Sequence, residues 1–284
     1  MSIKRVGIVG SGIMGAGIAE TLAVHGIEVV LRSRAKHTAE AMVAGMEKSL
    51  GRQVEKGKMA EADRDAALGR VTAVSDLGEL AGCDLVIESV VEDLGIKKHL
   101  FSELDRICPD ETILATNTST LPVVEMAMET GRPQKVVGIH FFNPAPVMTL
   151  VEVVRPITAS DETVAAAKAL AETCEKTPVE VKDQAGFIVN ALLFPYLNNA
   201  VRLLEGGVAT RDDIDAAMKG GCGFPMGPFA LLDLVGLDTS LAILDALYAE
   251  YRDPNYAAVP LLRRMVSAEL FGRKSGKGFY DYHR

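Results

Sequence analysis

The chain has 284 residues, of which 48% are hydrophobic and 24% charged, and its formal net charge is −8 at pH 7. This length supports one large or two medium domains with real cores, and the acidic balance argues against nucleic acid as a partner. The lack of an uncharged apolar run of about 18 residues argues against a membrane span, and four cysteines without metal-ligand or Cys-x-x-Cys spacing are typical of free thiols in a cytoplasmic protein.

A strand–helix–strand unit opens the chain. Residues 5–9 and 28–31 are short, nearly all-apolar runs typical of buried parallel strands. Between them, residues 16–25 predict a helix that stops at Gly26. A strand that starts at residue 5 also leaves no room for a targeting segment before it.

The first turn of this unit carries Gly-x-Gly-x-x-Gly at residues 10–15. Gly10 permits a sharp turn, Gly12 lets a pyrophosphate approach the backbone, and Gly15 lets helix and strand pack closely. The motif in this context predicts a dinucleotide site at the helix N-terminus; an ordinary tight turn with packing glycines is the alternative. The predicted cofactor contacts of this turn are Gly10, Gly12, Ile13, Met14 and Gly15.

The end of the second strand departs from the usual fingerprint, in which an acidic residue about 20 residues further on binds the ribose hydroxyls. This chain has Arg32, Ser33 and Arg34 there. No carboxylate would repel a 2′-phosphate, and guanidinium groups could pair with one. We therefore expect NAD(P) as the cofactor with a preference for NADP, and Ser33 and Arg34 as contacts. The alternative is that both arginines face solvent and that NAD binds through other groups.

A basic stripe follows on a predicted helical stretch over residues 35–68, because Lys48, Arg52 and Lys56 recur every four residues. A solvated charged face is the common meaning of such a run. In an acidic protein, beside a nucleotide fold, the stripe could equally receive phosphates.

Alternating strands and helices continue to about residue 182. In a doubly wound sheet the C-terminal ends of the strands face the ligand, and the polar run at residues 117–120 and His140 follow such ends. The further predicted strands are residues 84–92, 112–116, 136–140 and 150–154, with an amphipathic helix at 94–106.

The pattern changes after Gly186, where helical periodicities replace strand signals. The predicted fold class is therefore α/β: a Rossmann-type doubly wound sheet in residues 1–184, followed by an all-helical domain in residues 185–284. The helix over residues 188–204 is more apolar than a small domain can bury, which predicts a homodimer through the helical domain.

His140 differs from the other four histidines because it ends a buried strand on the ligand side. Glu152 lies among apolar neighbours on the next strand, and a turn with two prolines brings the strands together. A buried carboxylate needs a partner, and a histidine bonded to one is oriented and stabilised as a cation. The pair predicts a general base for an alcohol; a His–Glu strut without a catalytic role is the alternative.

A nucleotide fold with such a pair suggests hydride transfer between an alcohol carbon and a nicotinamide. Ser119 and Asn117 would form hydrogen bonds to the reacting oxygen or the cofactor. The alternative is that they cap the following helix. No metal is expected.

Several motifs carry a more specific resemblance: residues 10–15, 117–119, 140–144, 186–190 and 274–280, together with Glu152. Over the whole chain they resemble the L-3-hydroxyacyl-CoA dehydrogenase family, and the length is that of its short bacterial members, the 3-hydroxybutyryl-CoA dehydrogenases. The resemblance implies an oxidoreductase of fatty-acid metabolism and β-oxidation. It would interconvert (S)-3-hydroxyacyl-CoA and 3-oxoacyl-CoA with NAD(P) and would dimerise through its helical domain.

The resemblance also implies roles for individual residues. His140 would act as base or acid with Glu152 as its partner. Substrate contacts would be Ser119 and Asn190 near the reacting groups, and Ser49 and Lys56 on the coenzyme A portion, where Arg52 of the basic stripe is expected to join them. Cofactor contacts would be Glu92, Lys97, Asn143 and Lys274, in addition to Asn117 and Ser119, which are expected from their position after the strand. The chain departs from the family at Ser33, where an acid is usual, and this leaves the choice of cofactor open.

Two other functions stay open on the sequence. One is a dehydrogenase of a free hydroxy acid, which a dependence of the rate on the coenzyme A portion would exclude. The other is a non-catalytic dinucleotide-binding sensor, which an NAD(P)H absorbance assay would exclude.

Overall fold

The computed structural model describes residues 3–283. The chain divides into two compact units, one up to Asp183 and one from Gln184 onward. Among the residues described, no helix is long and apolar enough to cross a membrane.

The first unit is built on an eight-stranded sheet. Its strands are β1 (Arg5–Val9), β2 (Glu28–Arg32), β3 (Val71–Val74), β4 (Leu85–Glu88), β5 (Ile113–Thr116), β6 (Val136–Phe141), β7 (Leu150–Arg155) and β8 (Thr177–Lys182). Their spatial order is β3-β2-β1-β4-β5-β6-β7-β8. All neighbours are parallel except β6 and β7, which are antiparallel. The predicted doubly wound, Rossmann-type sheet is confirmed.

Helices connect the strands and cover the sheet. They are α1 (Ile13–Val24), α2 (Lys36–Glu55), α3 (Glu61–Gly69), α4 (Leu94–Ile107), α5 (Val123–Ala127) and α6 (Asp161–Thr173). Strands β4, β5 and β6 are buried along their whole length, as parallel strands are when both faces are covered. The core of the unit therefore lies against the sheet, with Ile18 and Leu22 of α1 fully buried on it.

The structure differs locally from the predicted elements. Helix α1 begins at Ile13, inside the glycine motif, because Gly12 is already its N-cap. The stretch 35–68 is two helices, since Gly57 takes a left-handed conformation at φ 67° and turns the chain between them. Strand β3 was missed because it is a four-residue edge strand with little burial and hence no clear apolar pattern.

The antiparallel pair β6–β7 determines the geometry of the site. Its register places His140 directly opposite Glu152. The connection between the strands is held by Lys176, whose Nζ donates to the carbonyl oxygens of Ala145 at 2.9 Å and Met148 at 2.8 Å. Burial lowers the pKa of this lysine, and the carbonyl oxygens take the place of water around its charge.

The second unit is helical, with only isolated β-bridges near the end of the part that is described. Its helices are α7 (Val189–Glu205), α8 (Arg211–Cys222), α9 (Pro228–Val235), α10 (Leu237–Tyr251) and α11 (Pro260–Ser267). Thr210 caps α8 by accepting the N–H of Asp213. The buried carboxylate of Asp233 fixes the end of the chain by accepting the N–H groups of Phe279 at 2.9 Å and Tyr280 at 2.8 Å.

Candidate active site

The glycine motif forms a backbone cradle at the start of α1. Gly10 has φ 141°, and a Cβ there would lie 2.1 Å from the carbonyl oxygen of Ser89. A Cβ on Gly15 would lie 2.5 Å from the carbonyl oxygen of Gly10, whereas one on Gly12 would meet no atom within 4 Å. Helix α1 has no side-chain cap and no acidic residue in its first turn, so no capping side chain accepts its terminal N–H groups. These residues fit the pyrophosphate of a dinucleotide.

The segment after β2 presents one engaged and one exposed arginine. The Nε of Arg32 donates to the carbonyl oxygen of Ser75 at 3.1 Å, so this side chain does not simply face solvent. Ser33 is buried, and its N–H donates to the carbonyl oxygen of Val74 at 3.1 Å. Arg34 is exposed and presents the guanidinium group that a phosphate could reach.

The basic stripe lies on the exposed side of α2, with Lys48 and Arg52 on the helix and Lys56 at its C-cap. Ser49 points the other way, and its hydroxyl donates to Oε1 of Glu20 on α1 at 3.0 Å. Glu20 is buried; this burial raises its pKa, while the bond from Ser49 and the charge of Arg52 lower it. The helix that carries the basic stripe therefore contacts a buried carboxyl group, that of Glu20, through Ser49.

His140 and Glu152 form the predicted pair. Nδ1 of His140 lies 2.8 Å from Oε2 of Glu152, and both side chains are buried. Because a carboxylate only accepts, Nδ1 carries the proton and donates it. When the ring is neutral, Nε2 then holds a lone pair, which is the state that a general base requires.

Ser119 contacts this histidine directly, and Asn117 fixes the end of the strand that carries it. The Ser119 hydroxyl lies 3.1 Å from Nε2 of His140 and donates to it in this tautomer. Oδ1 of Asn117 accepts the N–H of Phe141 at 2.8 Å, which fixes the end of β6. The alternative that they cap the next helix is wrong, since Asp183 accepts the first two N–H groups of α5.

An ion cluster that the sequence only partly indicated lies beside the Ser119 loop. Lys97 of α4 is buried, with its Nζ 2.7 Å from Oε1 of Glu88 and 3.2 Å from Oε2 of Glu92. Glu88 ends β4, so the strand predicted over residues 84–92 stops at the carboxylate instead of running through it. A lysine on the apolar face of an amphipathic helix was the signal that could have revealed the cluster.

The structure thus brings Ser119, His140 and Glu152 together, with Asn117 adjoining them. Asn143 is exposed in the turn after β6. In the second unit, Asn190 is buried in the first turn of α7, and Nζ of Lys274 lies 2.6 Å from Oδ1 of Asp238.

A dinucleotide cradle beside a sheet whose strand ends carry a buried His–carboxylate pair is the arrangement of a nicotinamide-dependent oxidoreductase. Comparison with known proteins makes this class specific. The family model described as "3-hydroxyacyl-CoA dehydrogenase, NAD binding domain" matches residues 5–184, and the one described as "3-hydroxyacyl-CoA dehydrogenase, C-terminal domain" matches residues 186–282. The chain belongs to the 3-hydroxyacyl-CoA dehydrogenase family, and the resemblance inferred from its motifs is confirmed.

Individual relatives are similar to this chain along its whole length. A 3-hydroxybutyryl-CoA dehydrogenase of Mycobacterium tuberculosis is 47% identical over 283 residues, 99% of each chain. One of Clostridioides difficile is 45% identical, covering 99% of this chain and all of its own. The crystal structure of (S)-3-hydroxybutyryl-CoA dehydrogenase from Ralstonia eutropha superposes with a TM-score of 0.97 at 42% identity, with both chains fully covered.

Proposed function

We propose that this enzyme interconverts (S)-3-hydroxybutyryl-CoA and acetoacetyl-CoA, with His140 as the general base and acid. The observation that carries the proposal is the position of His140, with Glu152 2.8 Å from Nδ1 and Ser119 3.1 Å from Nε2. The names of the similar proteins support the choice of substrate. The dinucleotide, when bound, supplies the carbon that accepts or donates hydride.

The residues of the chain then manage the proton. Nε2 of His140 takes the proton of the substrate hydroxyl in the oxidation and returns it in the reduction. Glu152 holds the ring by its Nδ1–H and stabilises the imidazolium that forms. Ser119 holds the reacting oxygen near Nε2, and Asn190 is proposed as a second substrate contact.

The coenzyme A portion is proposed to bind at the exposed basic stripe of α2. Arg52 and Lys56 carry the charge for its phosphates, and Ser49 lies between them and α1. In a protein of net charge −8, such a stripe concentrates positive charge where a polyanionic substrate needs it.

The remaining cofactor contacts are proposed from the same family pattern. They are the cradle residues Gly10, Gly12, Ile13, Met14 and Gly15, with Glu92, Lys97, Asn117, Asn143 and Lys274. We further propose that the enzyme prefers NADP, because Ser33 places no carboxylate after β2 and the exposed Arg34 offers a partner for a 2′-phosphate.

A location in the cytoplasm is part of the proposal. All four cysteines are free, and three of them are buried. Burial raises the pKa of Cys83 and Cys108 to about 11, so these thiols stay protonated and unreactive.

The test of the proposed reaction is oxidation of NADH or NADPH, followed by absorbance, with acetoacetyl-CoA and with free acetoacetate. Turnover of acetoacetyl-CoA with little turnover of the free acid is the expected result. Equal rates with both substrates would favour a dehydrogenase of free hydroxy acids, and no turnover of either would favour a dinucleotide-binding sensor.

A further inference from the structure

Glu88 is a fully buried carboxylate that joins three elements of the first unit. It ends β4, a strand whose other residues are apolar. Its Oε1 accepts Nζ–H of Lys97 on α4 at 2.7 Å and the N–H of Val90 at 2.6 Å. Its Oε2 accepts the hydroxyl of Thr116 at the end of β5, also at 2.7 Å. These three bonds all come from groups near the C-terminal edge of the sheet.

Lys97 lies between the carboxylates of Glu88 and Glu92, and Glu92 also accepts bonds from the loop that contains Ser119. While Oε2 of Glu92 lies 3.2 Å from Nζ of Lys97, its Oε1 accepts the N–H of Ser119 at 2.9 Å and the hydroxyl of Thr118. The hydroxyl of the same Ser119 lies 3.1 Å from Nε2 of His140. A continuous series of contacts therefore runs from Glu88 through Lys97, Glu92 and Ser119 to the histidine.

We propose that Glu88 is a positioning residue for catalysis. Its buried charge holds Lys97 in place, so that Glu92 stays oriented toward the Ser119 N–H and the Ser119 hydroxyl stays at Nε2 of His140. This inference rests on the proposed role of His140 in the reaction.

The chemistry of the cluster favours positioning over packing. A buried carboxylate is costly, and an apolar residue would fill the end of an apolar strand at lower cost. With Glu88 neutral, the buried ammonium of Lys97 would have Glu92 as its one charged partner in the cluster. Glu92 would be drawn toward it and away from the Thr118–Ser119 loop. A small displacement of a catalytic group is enough to slow a reaction strongly.

The test uses Glu88→Gln, which keeps the shape of the side chain and removes its charge. We expect kcat for acetoacetyl-CoA reduction to fall about tenfold to 100-fold, with KM for acetoacetyl-CoA within about twofold of the wild type. The pH profile of kcat and the NMR titration of the His140 ring in the free enzyme should both shift, because the ring loses its Ser119 contact.

A double-variant cycle tests whether the effect of Glu88→Gln on kcat passes through Ser119. In a Ser119→Ala background, Glu88→Gln should change kcat by less than about threefold, since the two changes act through one contact. If Glu88→Gln does not yield folded enzyme, Glu88→Asp, which withdraws the charge by one methylene, is used in the same measurements and should shift them in the same direction.

Asp105→Asn is the matched control, because Asp105 lies on the same helix and forms another ion pair of low exposure, 2.7 Å from Nε of Arg132. It should lower the Tm and leave kcat and the His140 titration unchanged. The proposal is overturned if Glu88→Gln behaves like this control, or if its effect persists undiminished in the Ser119→Ala background. An active His140→Gln variant would instead refute the catalytic role of His140, on which the proposal rests.

Discussion

At the level of single residues, Glu152 determines which nitrogen of His140 carries the proton. The carboxylate accepts Nδ1–H at 2.8 Å, so Nε2 is the accepting nitrogen when the ring is neutral, and it lies 3.1 Å from the hydroxyl of Ser119. A ring whose Nδ1 proton is held in this way keeps one tautomer, in which Nε2 can accept a proton as a base. We therefore expect the reaction to need the charge of Glu152, and not only its shape, when the ring becomes cationic.

Glu152→Gln should separate catalysis from structure. The amide oxygen can still accept Nδ1–H of a neutral ring, so the loss of stability should be well below the roughly 3–5 kcal/mol of a broken buried ion pair. The imidazolium loses its counter-charge, and kcat should fall about 10²- to 10⁴-fold. Steady-state kcat and thermal unfolding measure the two effects; a lower Tm with an intact kcat would favour the strut.

We also expect one or two side chains to decide the choice between NAD and NADP. Arg34→Ala removes the exposed guanidinium after β2, and kcat/KM for NADPH should fall about tenfold to 100-fold, as for a lost charged hydrogen bond, while that for NADH changes little. Lys36→Ala, an exposed cation at the start of α2, is the control and should alter neither value. A wild type that prefers NADH would contradict the NADP preference.

At the level of elements, a single charged residue within an apolar run was the best sequence signal for a buried ion pair. Glu152 interrupts an apolar strand, and this made its pairing with His140 predictable before any coordinates. Lys97 interrupts the apolar face of α4 in the same way, yet its partner Glu88 was taken as part of a longer strand. Strand β3 was missed because a four-residue edge strand has few buried positions and therefore little apolar pattern. Local sequence indicated the His140–Glu152 pair because one short turn joins their strands, but it does not indicate which buried charges meet when the elements are distant in the chain, as Glu88 and Lys97 do across β4 and α4.

The contact between α1 and α2 should make stability depend on pH. Burial raises the pKa of Glu20 above its ordinary value of 4.5, so the folded state binds this proton more tightly than the unfolded state. Ionisation as the pH rises past that value therefore costs folding free energy. Glu20→Gln should raise stability relative to the wild type at about pH 8, and the gain should vanish below about pH 4.5.

Urea unfolding of the wild type and Glu20→Gln at several pH values measures this difference. Glu47→Gln, an exposed position on α2, is the control and should show no gain at any pH. A Glu20→Gln variant that is less stable than the wild type at high pH would mean that its bond with Ser49 outweighs the cost of burial.

At the level of the whole molecule, the α/β class followed from the alternation of strand and helix patterns along the chain, and the helical second unit followed from the change of pattern after Gly186. The alternation prescribes parallel strands with crossover helices, and the sheet has that topology up to β6. The roles of Asn190 and Lys274, by contrast, came from family resemblance, because nothing in their local sequence indicates a ligand. Dimerisation through the second unit stays a prediction from the apolar pattern of α7 and from the family resemblance.

The dimer should depend on the exposed apolar face of α7. Leu192 is 71% exposed and Leu203 46% exposed, and their spacing puts them on one side of the helix. Leu192→Asp should convert a dimer into a monomer in light scattering at micromolar concentration. Glu205→Lys, on the opposite side of α7 by a period of about 3.6 residues, should leave the dimer intact. A wild type that is already monomeric would contradict the prediction.

The central claim is that His140 transfers the substrate proton, and the kcat of His140→Gln in acetoacetyl-CoA reduction tests it most directly. We expect a fall of about 10²- to 10⁴-fold, with NADH and NADPH binding by fluorescence unchanged. His99→Gln, at a histidine whose side chain is 75% exposed, should keep full activity. Turnover of His140→Gln within about twofold of the wild type would contradict the claim.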